Sequence, residues 1–205
     1  MASNLKQCLK VIVTTVGMGH TVQASLPPVV QIEKKAPFTK KDCKLLIGQK
    51  EQQHKIPEGL LAAIASVESE FSPYAVNSNG KSKSFRNLQD AKLYVTSLRD
   101  QGIIDINIGA LQINYAYHKN RFKNAAAILD PYQNVAYAAK YLASLKAKYG
   151  SWVRAVKFYH SPEEKYQIIY MNKIMNALKR INYSTYCELN GIKKVSLKPV
   201  RTNAQ

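Results

Sequence analysis

Helix punctuation recurs along this chain beyond its first 38 residues, where the short run Ile103 to Ile108 has the β-branched density of a strand. That run suffices for one edge strand or an extended connection and is too short to found a sheet-based fold. Thr39 stands three residues before Asp42, the capping-box spacing, and predicts a helix running to about Lys55. Pro57 with Glu58 behind it opens a second helix, which Ser72-Pro73 stops. Residues 74–86, rich in Asn, Ser, Gly and Lys, read as a loop. Asn87 with Asp90 caps a helix from Leu88 to Gln101, with Gly102 as its stop. Further helices are expected from Asp130-Pro131 to Tyr149 ahead of Gly150, from Ser151 to Tyr159, and from Ser161-Pro162 to about Ile181. The expected fold class is therefore mainly α with at most a very small β element, in one domain over residues 39–188.

The chain has 205 residues, which leaves room for tails but not for a second large domain. Its first 24 residues place Lys6 and Lys10 before the apolar run Val11 to Gly19 and end on Val22-Gln23-Ala24, the order of a cleavable export signal. The uncharged stretch from Val11 to Ile32 is interrupted by Thr, Gly, His, Gln and Pro, so no permanent membrane span is expected. Residues 25–38, with three prolines, read as an extended linker, and residues 189–205 as a basic, disordered tail. Thirty Lys and Arg against 13 Asp and Glu give +17, which points to an anionic partner: nucleic acid, a membrane surface or an acidic wall polymer. Export, and basic residues scattered rather than striped along one helix, argue against nucleic acid. Signal cleavage would remove Cys8 and leave Cys43 and Cys187, either as a disulfide or as two buried thiols.

The second helix carries a carboxylate on the wrong face. At about 100° per residue, Leu60, Leu61, Ile64, Val67 and Phe71 share an arc of roughly 120°, and Glu68 lies inside it, whereas Glu58 and Glu70 fall outside. Loss of hydration on a core-facing stripe raises a carboxyl pKa and lets the group act as a proton donor near neutrality. The bland alternative is that Glu68 pairs with one of the many Lys or Arg side chains. Two further groups accompany it. Gly109-Ala110-Leu111-Gln112-Ile113-Asn114 puts small residues where a backbone could approach a ligand, beside two amides that both donate and accept. Phe158-Tyr159-His160-Ser161 brings a phenol and an imidazole to a helix end, where Tyr159 could equally be a core aromatic.

In this order the three groups resemble the lytic transglycosylases of the goose-type-lysozyme-like superfamily. Glu68-Ser69-Glu70-Phe71 with Pro73 and Ala75-Val76-Asn77 is similar to the family's Glu-Ser-x-Phe-x-Pro-x-Ala-Val block, and Gly109 to Asn114 to its Gly-Leu-Met-Gln-Ile block. Asn134, Ala138, Tyr141 and Leu142 match its Asn-x-x-x-Ala-x-x-Tyr-Leu helix, and Ala155 to Ser161 stands where the family has Ala-Tyr-Asn-x-Gly. The likeness covers about residues 45 to 180. His160 replaces the family's Asn, Ser161-Pro162 replaces its Gly-containing turn, and Ser78 to Gly102 lengthens the path between the first two blocks. Endings in Tyr-His-Ser resemble specialised members of conjugation, pilus and secretion systems.

The resemblance implies a lysozyme-like helical domain in which Glu68 is the catalytic acid/base, Ser69, Gln112 and Asn114 line a sugar cleft, Tyr159 hydrogen-bonds near Glu68, and His160 adjoins the substrate. It implies cleavage of the β-1,4 bond between N-acetylmuramate and N-acetylglucosamine with a 1,6-anhydro product. The partners would be peptidoglycan strands and an envelope-spanning apparatus, and the place the periplasm or cell envelope. Ordinary glycosidases need two carboxyl groups across the scissile bond, about 5 to 9.5 Å apart. Besides Glu68 the candidates are Glu70, Asp90, Asp100 and Asp105, and Asp105 reads better as a turn or strand-end residue. A single carboxyl suits a substrate that supplies its own nucleophile. A muramidase using water, and a silent wall-binding scaffold, are the alternatives. No cofactor and no metal are expected, since the four His lack zinc-ligand spacing, and a monomer is expected.

Overall fold

The computed structural model describes residues 37–192. The export signal expected over 1–24, most of the linker over 25–38 and the tail from residue 193 onward lie outside the described residues. Phe38 does fall within them, and it is no free linker: it packs against the core and meets the Tyr132 ring edge-on at 5.4 Å.

The described residues form eight α-helices, two short 3-10 turns and one four-stranded antiparallel sheet, a mainly α domain as expected. Helix α1 (Lys40–Gln53) starts with the full Thr39/Asp42 capping box. Helix α2 (Leu60–Ser69) begins three residues later than Pro57 suggests. Its N-cap is Gly59 at φ +82°, a left-handed conformation open to glycine at little cost, and Pro57 supplies only a turn carbonyl to Leu60 N–H. The orphan amides of that helix start are satisfied from a distance by Glu51 of α1, whose Oε2 accepts from Gly59 N–H at 2.9 Å and Oε1 from Ala62 N–H at 3.0 Å. Glu51 is 4% exposed, and burial pushes its carboxyl pKa up against the pull of these amides.

Residues 74–86 form a hairpin rather than a loop. Strands β1 (Ala75–Ser78) and β2 (Lys81–Ser84) turn through Asn79 at φ +51° and Gly80 at φ +73°, the positive pair of a type I′ turn. Strand β3 (Ile106–Ile108) arises from the β-branched run but is internal, between β1 and β4 (Ile113–Asn114), in the order β2-β1-β3-β4. Val76, Ile108 and Ile113 sit in register and bury one face of the sheet in the core.

The remaining helices are α3 (Leu88–Asp100), α4 (Tyr115–His118), α5 (Pro131–Tyr149), α6 (Trp152–His160), α7 (Glu164–Ile181) and α8 (Tyr183–Leu189). Asn87 caps α3, Asp130 with Pro131 opens α5, and Gly150 ends it at φ +82°. Helix α8 was not expected; Asn182 caps it by accepting from Thr185 N–H at 3.0 Å. Helices α2 and α7 pack directly, and the buried Leu60, Leu61 and Ile64 of α2 share one hydrophobic core with Ile174, Ala177 and Leu178 of α7. No helix among the described residues is long and apolar enough to cross a membrane. Cys43 and Cys187 are both buried free thiols, so the bridge considered between them is not formed, and burial raises the Cys43 thiol to about 11.

Candidate active site

Helix α2 ends abruptly, and that ending makes the site. Glu70 (φ +52°) and Phe71 (φ +63°) both turn left-handed, and Phe71 N–H reaches back to the Ala65 carbonyl at 3.1 Å. Glu68 and Ser69 thus occupy the last helical turn, where the chain leaves the core and a cleft opens. The cleft encloses about 460 Å³ between α2, the β1–β2 hairpin and Gln112.

Glu68 is held from below. Tyr170 of α7, only 3% exposed, donates its hydroxyl hydrogen to Glu68 Oε1 at 2.6 Å. Burial drives the Glu68 carboxyl up to about 7, against the opposing pull of the Tyr170 hydrogen bond and the more distant Lys173 ammonium. The negative end of the α2 dipole acts in the same direction as burial. Near neutral pH the group can therefore both give and take a proton. Tyr170 itself is pushed well above its ordinary pKa, by burial first and then by Glu68, so it remains a donor.

The glycine-led segment is clamped from three sides. Asn134 of α5, fully buried, accepts from Leu111 N–H at 3.1 Å and donates to the Ile108 carbonyl at 2.9 Å. Tyr159 donates to the Leu111 carbonyl at 2.8 Å, and Ser69 Oγ donates to the Ala110 carbonyl at 2.8 Å. Gly109, at φ +81°, lies directly against the Asn134 amide and leaves no space for a Cβ. These bonds fix Gln112, at φ +45°, so that it lines the cleft beside Glu68 and Ser69 while its amide donates to the Gly109 carbonyl at 2.9 Å.

Three of the six anticipated residues, Glu68, Ser69 and Gln112, therefore come together. Tyr159 stands close enough for the Glu68 charge to raise its pKa, after burial, but its hydroxyl bonds the Leu111 carbonyl instead of the carboxyl. The residue that grips Glu68 is Tyr170, which sequence reasoning missed. His160 does not line the cleft; its ring stacks on the Tyr170 ring at 4.1 Å and 4°. Asn114 serves the sheet edge, donating to Asp105 Oδ1 at 2.6 Å and to Asn107 Oδ1 at 3.1 Å while capping α4.

The other carboxylates divide cleanly. Asp105 is the exposed strand-end partner of Asn114, and Asp90 belongs to the α3 cap. Glu70, placed on another face of the helix by periodicity, instead lies beyond the helix end and lines the cleft rim, with its side chain 86% exposed and 3.6 Å from Lys40 Nζ. It is exposed, whereas Glu68 is part-buried. No group of three or more His, Cys, Asp or Glu side chains could hold a metal ion among the described residues.

A small helical domain with one enclosed, near-neutral carboxyl at a cleft has the equipment for acid-assisted cleavage of a glycosidic bond. Residues 45–167 match the family model of the transglycosylase SLT domain, and the chain belongs to that family, whose members are lytic transglycosylases of peptidoglycan. Nothing among curated proteins or solved structures matches the chain.

Proposed function

We propose that this chain cleaves the N-acetylmuramate–N-acetylglucosamine β-1,4 bond without water, with Glu68 as the only proton carrier. The observation that carries the reading is the enclosed Glu68 carboxyl, raised to about 7 and hydrogen-bonded by Tyr170. Protonated Glu68 gives its hydrogen to the glycosidic oxygen as the bond to C1 breaks. The substrate's acetamido group stabilises the positive charge at C1. Glu68, now a carboxylate, takes the proton of the C6 hydroxyl, O6 bonds C1, and a 1,6-anhydromuramyl end results. Atoms balance with no water consumed and with Glu68 returned to its starting state. Ser69 and Gln112 supply the polar lining, and their own hydrogen bonds to the 109–110 backbone keep it rigid.

The muramidase alternative draws support from Glu70, the second carboxylate on the cleft lining. Its exposure and its pairing with Lys40 favour a role at the rim over one at the reacting carbon. Incubating purified sacculi with the wild-type protein and with Glu68→Gln tests the assignment. Soluble fragments from the wild type only are the expected result; fragments from both would remove Glu68 from the chemistry, and binding without fragments from either would indicate a wall-binding scaffold.

We further propose that the protein is exported to the periplasm or cell envelope and opens the wall locally for a secretion, conjugation or pilus apparatus. The export pattern of residues 1–24 and the Tyr159-His160-Ser161 ending support this. Fractionation of cells expressing the chain checks it: processed protein outside the cytoplasm is expected, and full-length protein inside it would contradict the reading.

A further inference from the structure

His160 and Ser161 close α6 away from the cleft lining, and both are tied to α7. The His160 ring lies flat on the Tyr170 ring, with centroids 4.1 Å apart and planes within 4° of parallel. One residue on, the Ser161 carbonyl accepts from Gln167 Nε2 at 2.9 Å. Gln167 is 6% exposed and stands just under one helical turn before Tyr170 on the buried face of α7. Ser161 Oγ accepts from Glu163 N–H at 3.0 Å, which turns the chain into α7 at once. The end of α6 is thus pinned beside Tyr170. At the other end of the same side chain, the Tyr170 hydroxyl donates to Glu68 Oε1 at 2.6 Å. One buried phenol therefore joins an exposed imidazole of α6 to the carboxyl of α2.

A phenol hydrogen prefers the plane of its own ring, because the oxygen lone pair conjugates with the ring, and the χ2 torsion of a tyrosine is soft. Turning the ring about χ2 leaves the oxygen in place and swings the O–H bond away from Glu68. A parallel neighbour selects the plane, since tilting either ring opens the stacked contact. The imidazole does this as a neutral ring: burial, and then the Lys173 ammonium, hold its pKa below 6.5, so it is mostly uncharged where Glu68 titrates at about 7. The other charged or titratable groups acting on this corner are Lys173 of α7, which pulls the Glu68 carboxyl down, and Tyr159 of α6, which the Glu68 charge pushes up. We propose that His160 is a positioning residue: stacked on Tyr170, it fixes the phenol plane so that the hydroxyl hydrogen points at Glu68, and it acts on Glu68 only through that bond. The proposal rests on the reading of Glu68 as the proton carrier.

The test is a titration of the Glu68 carboxyl in the full-length protein by NMR of carboxyl-labelled glutamate, the resonance being the one that Glu68→Gln lacks. The wild-type midpoint is expected at about 7. His160→Ala should raise it by about half a unit, the size that the geometry of one aromatic pair allows. The same variant should lower kcat on peptidoglycan about threefold with KM little changed, as expected when orientation and not substrate binding is lost. His160→Phe, which keeps a flat neutral ring, should restore both values. In a Tyr170→Phe background, His160→Ala should add no further shift, because the bond it serves is already gone. An unmoved midpoint in His160→Ala, a midpoint that His160→Phe does not restore, or an added shift in the double variant overturns the proposal. The midpoints are read without substrate, so a wild-type protein that releases nothing from sacculi would count against the proposed function and leave this test standing.

Discussion

The Tyr170 hydroxyl and Glu68 Oε1 lie 2.6 Å apart, joined across 102 residues of sequence by the packing of α7 on α2. The bond favours the ionised carboxyl, burial favours the neutral one, and burial prevails, which leaves Glu68 at about 7. A group poised there is useful for both halves of a reaction in which it must first release and then recover a proton.

Tyr170→Phe removes the donor and leaves burial unopposed by it, so the Glu68 pKa should rise further, by about one unit, given that a hydrogen bond to a charged group contributes about 1.5–3 kcal/mol. Activity that requires protonated Glu68 then keeps its high-pH limb to a higher pH, while the maximum rate falls because the carboxyl is no longer oriented. A pH profile of kcat/KM checks this, and a limb that moves down would contradict it.

Holding Glu68 raised has a stability cost with a definite sign. Its folded pKa of about 7 exceeds the ordinary 4.5, so its favourable contribution is complete below pH 4.5 and is lost as pH rises through 7. The span corresponds to about 3 kcal/mol. Gln at this position still accepts from Tyr170 and does not titrate. Glu68→Gln should therefore gain stability over the wild type as pH rises from 4 to 8, by denaturant unfolding, while losing activity.

Glu51→Ala strips two amides at the start of α2 of their acceptor, in a buried setting. A loss of about 2–4 kcal/mol is expected, read as a lowered unfolding midpoint. Since α2 carries Glu68 at its other end, activity should fall only near the new melting temperature; a drop in activity at full folding would show that Glu51 acts on the site directly.

Gly109→Ala combines a left-handed φ with overlap against Asn134, which itself holds Leu111 and Ile108. A destabilisation of about 3 kcal/mol or more is expected. Asn134→Ala should mimic it, and a double variant should cost less than the sum of the two, because both disturb the same clamp.

Much of this architecture was legible because it rests on local chemistry. Thr39, Asn87, Asp130-Pro131 and Gly150 each act within one turn of chain, and the helix ends they announce are where the structure has them. The apolar stripe of α2 exposed Glu68 as out of place. What escaped depended on partners far off in sequence. Tyr170 is one of 13 tyrosines until α7 lies on α2, and Glu51 looks like a surface residue until Gly59 needs an acceptor eight positions later. The Asn79-Gly80 turn was a local hairpin signal, masked by the wholly polar β2 sequence Lys81–Ser84, which lacks the alternation that marks a strand. Tyr159 was placed at the right end of the right helix, but its hydroxyl finds the Leu111 carbonyl first.

The central claim is one carboxyl and no water, and the ends of the products decide it. Peptidoglycan digested by the wild-type protein, reduced with borohydride and weighed by mass spectrometry, should yield muramyl ends that resist reduction and are lighter than the hydrolysed form by one water, with none from Glu68→Gln. Reducible muramyl ends from the wild type would contradict the account and turn attention to Glu70 as the second carboxylate.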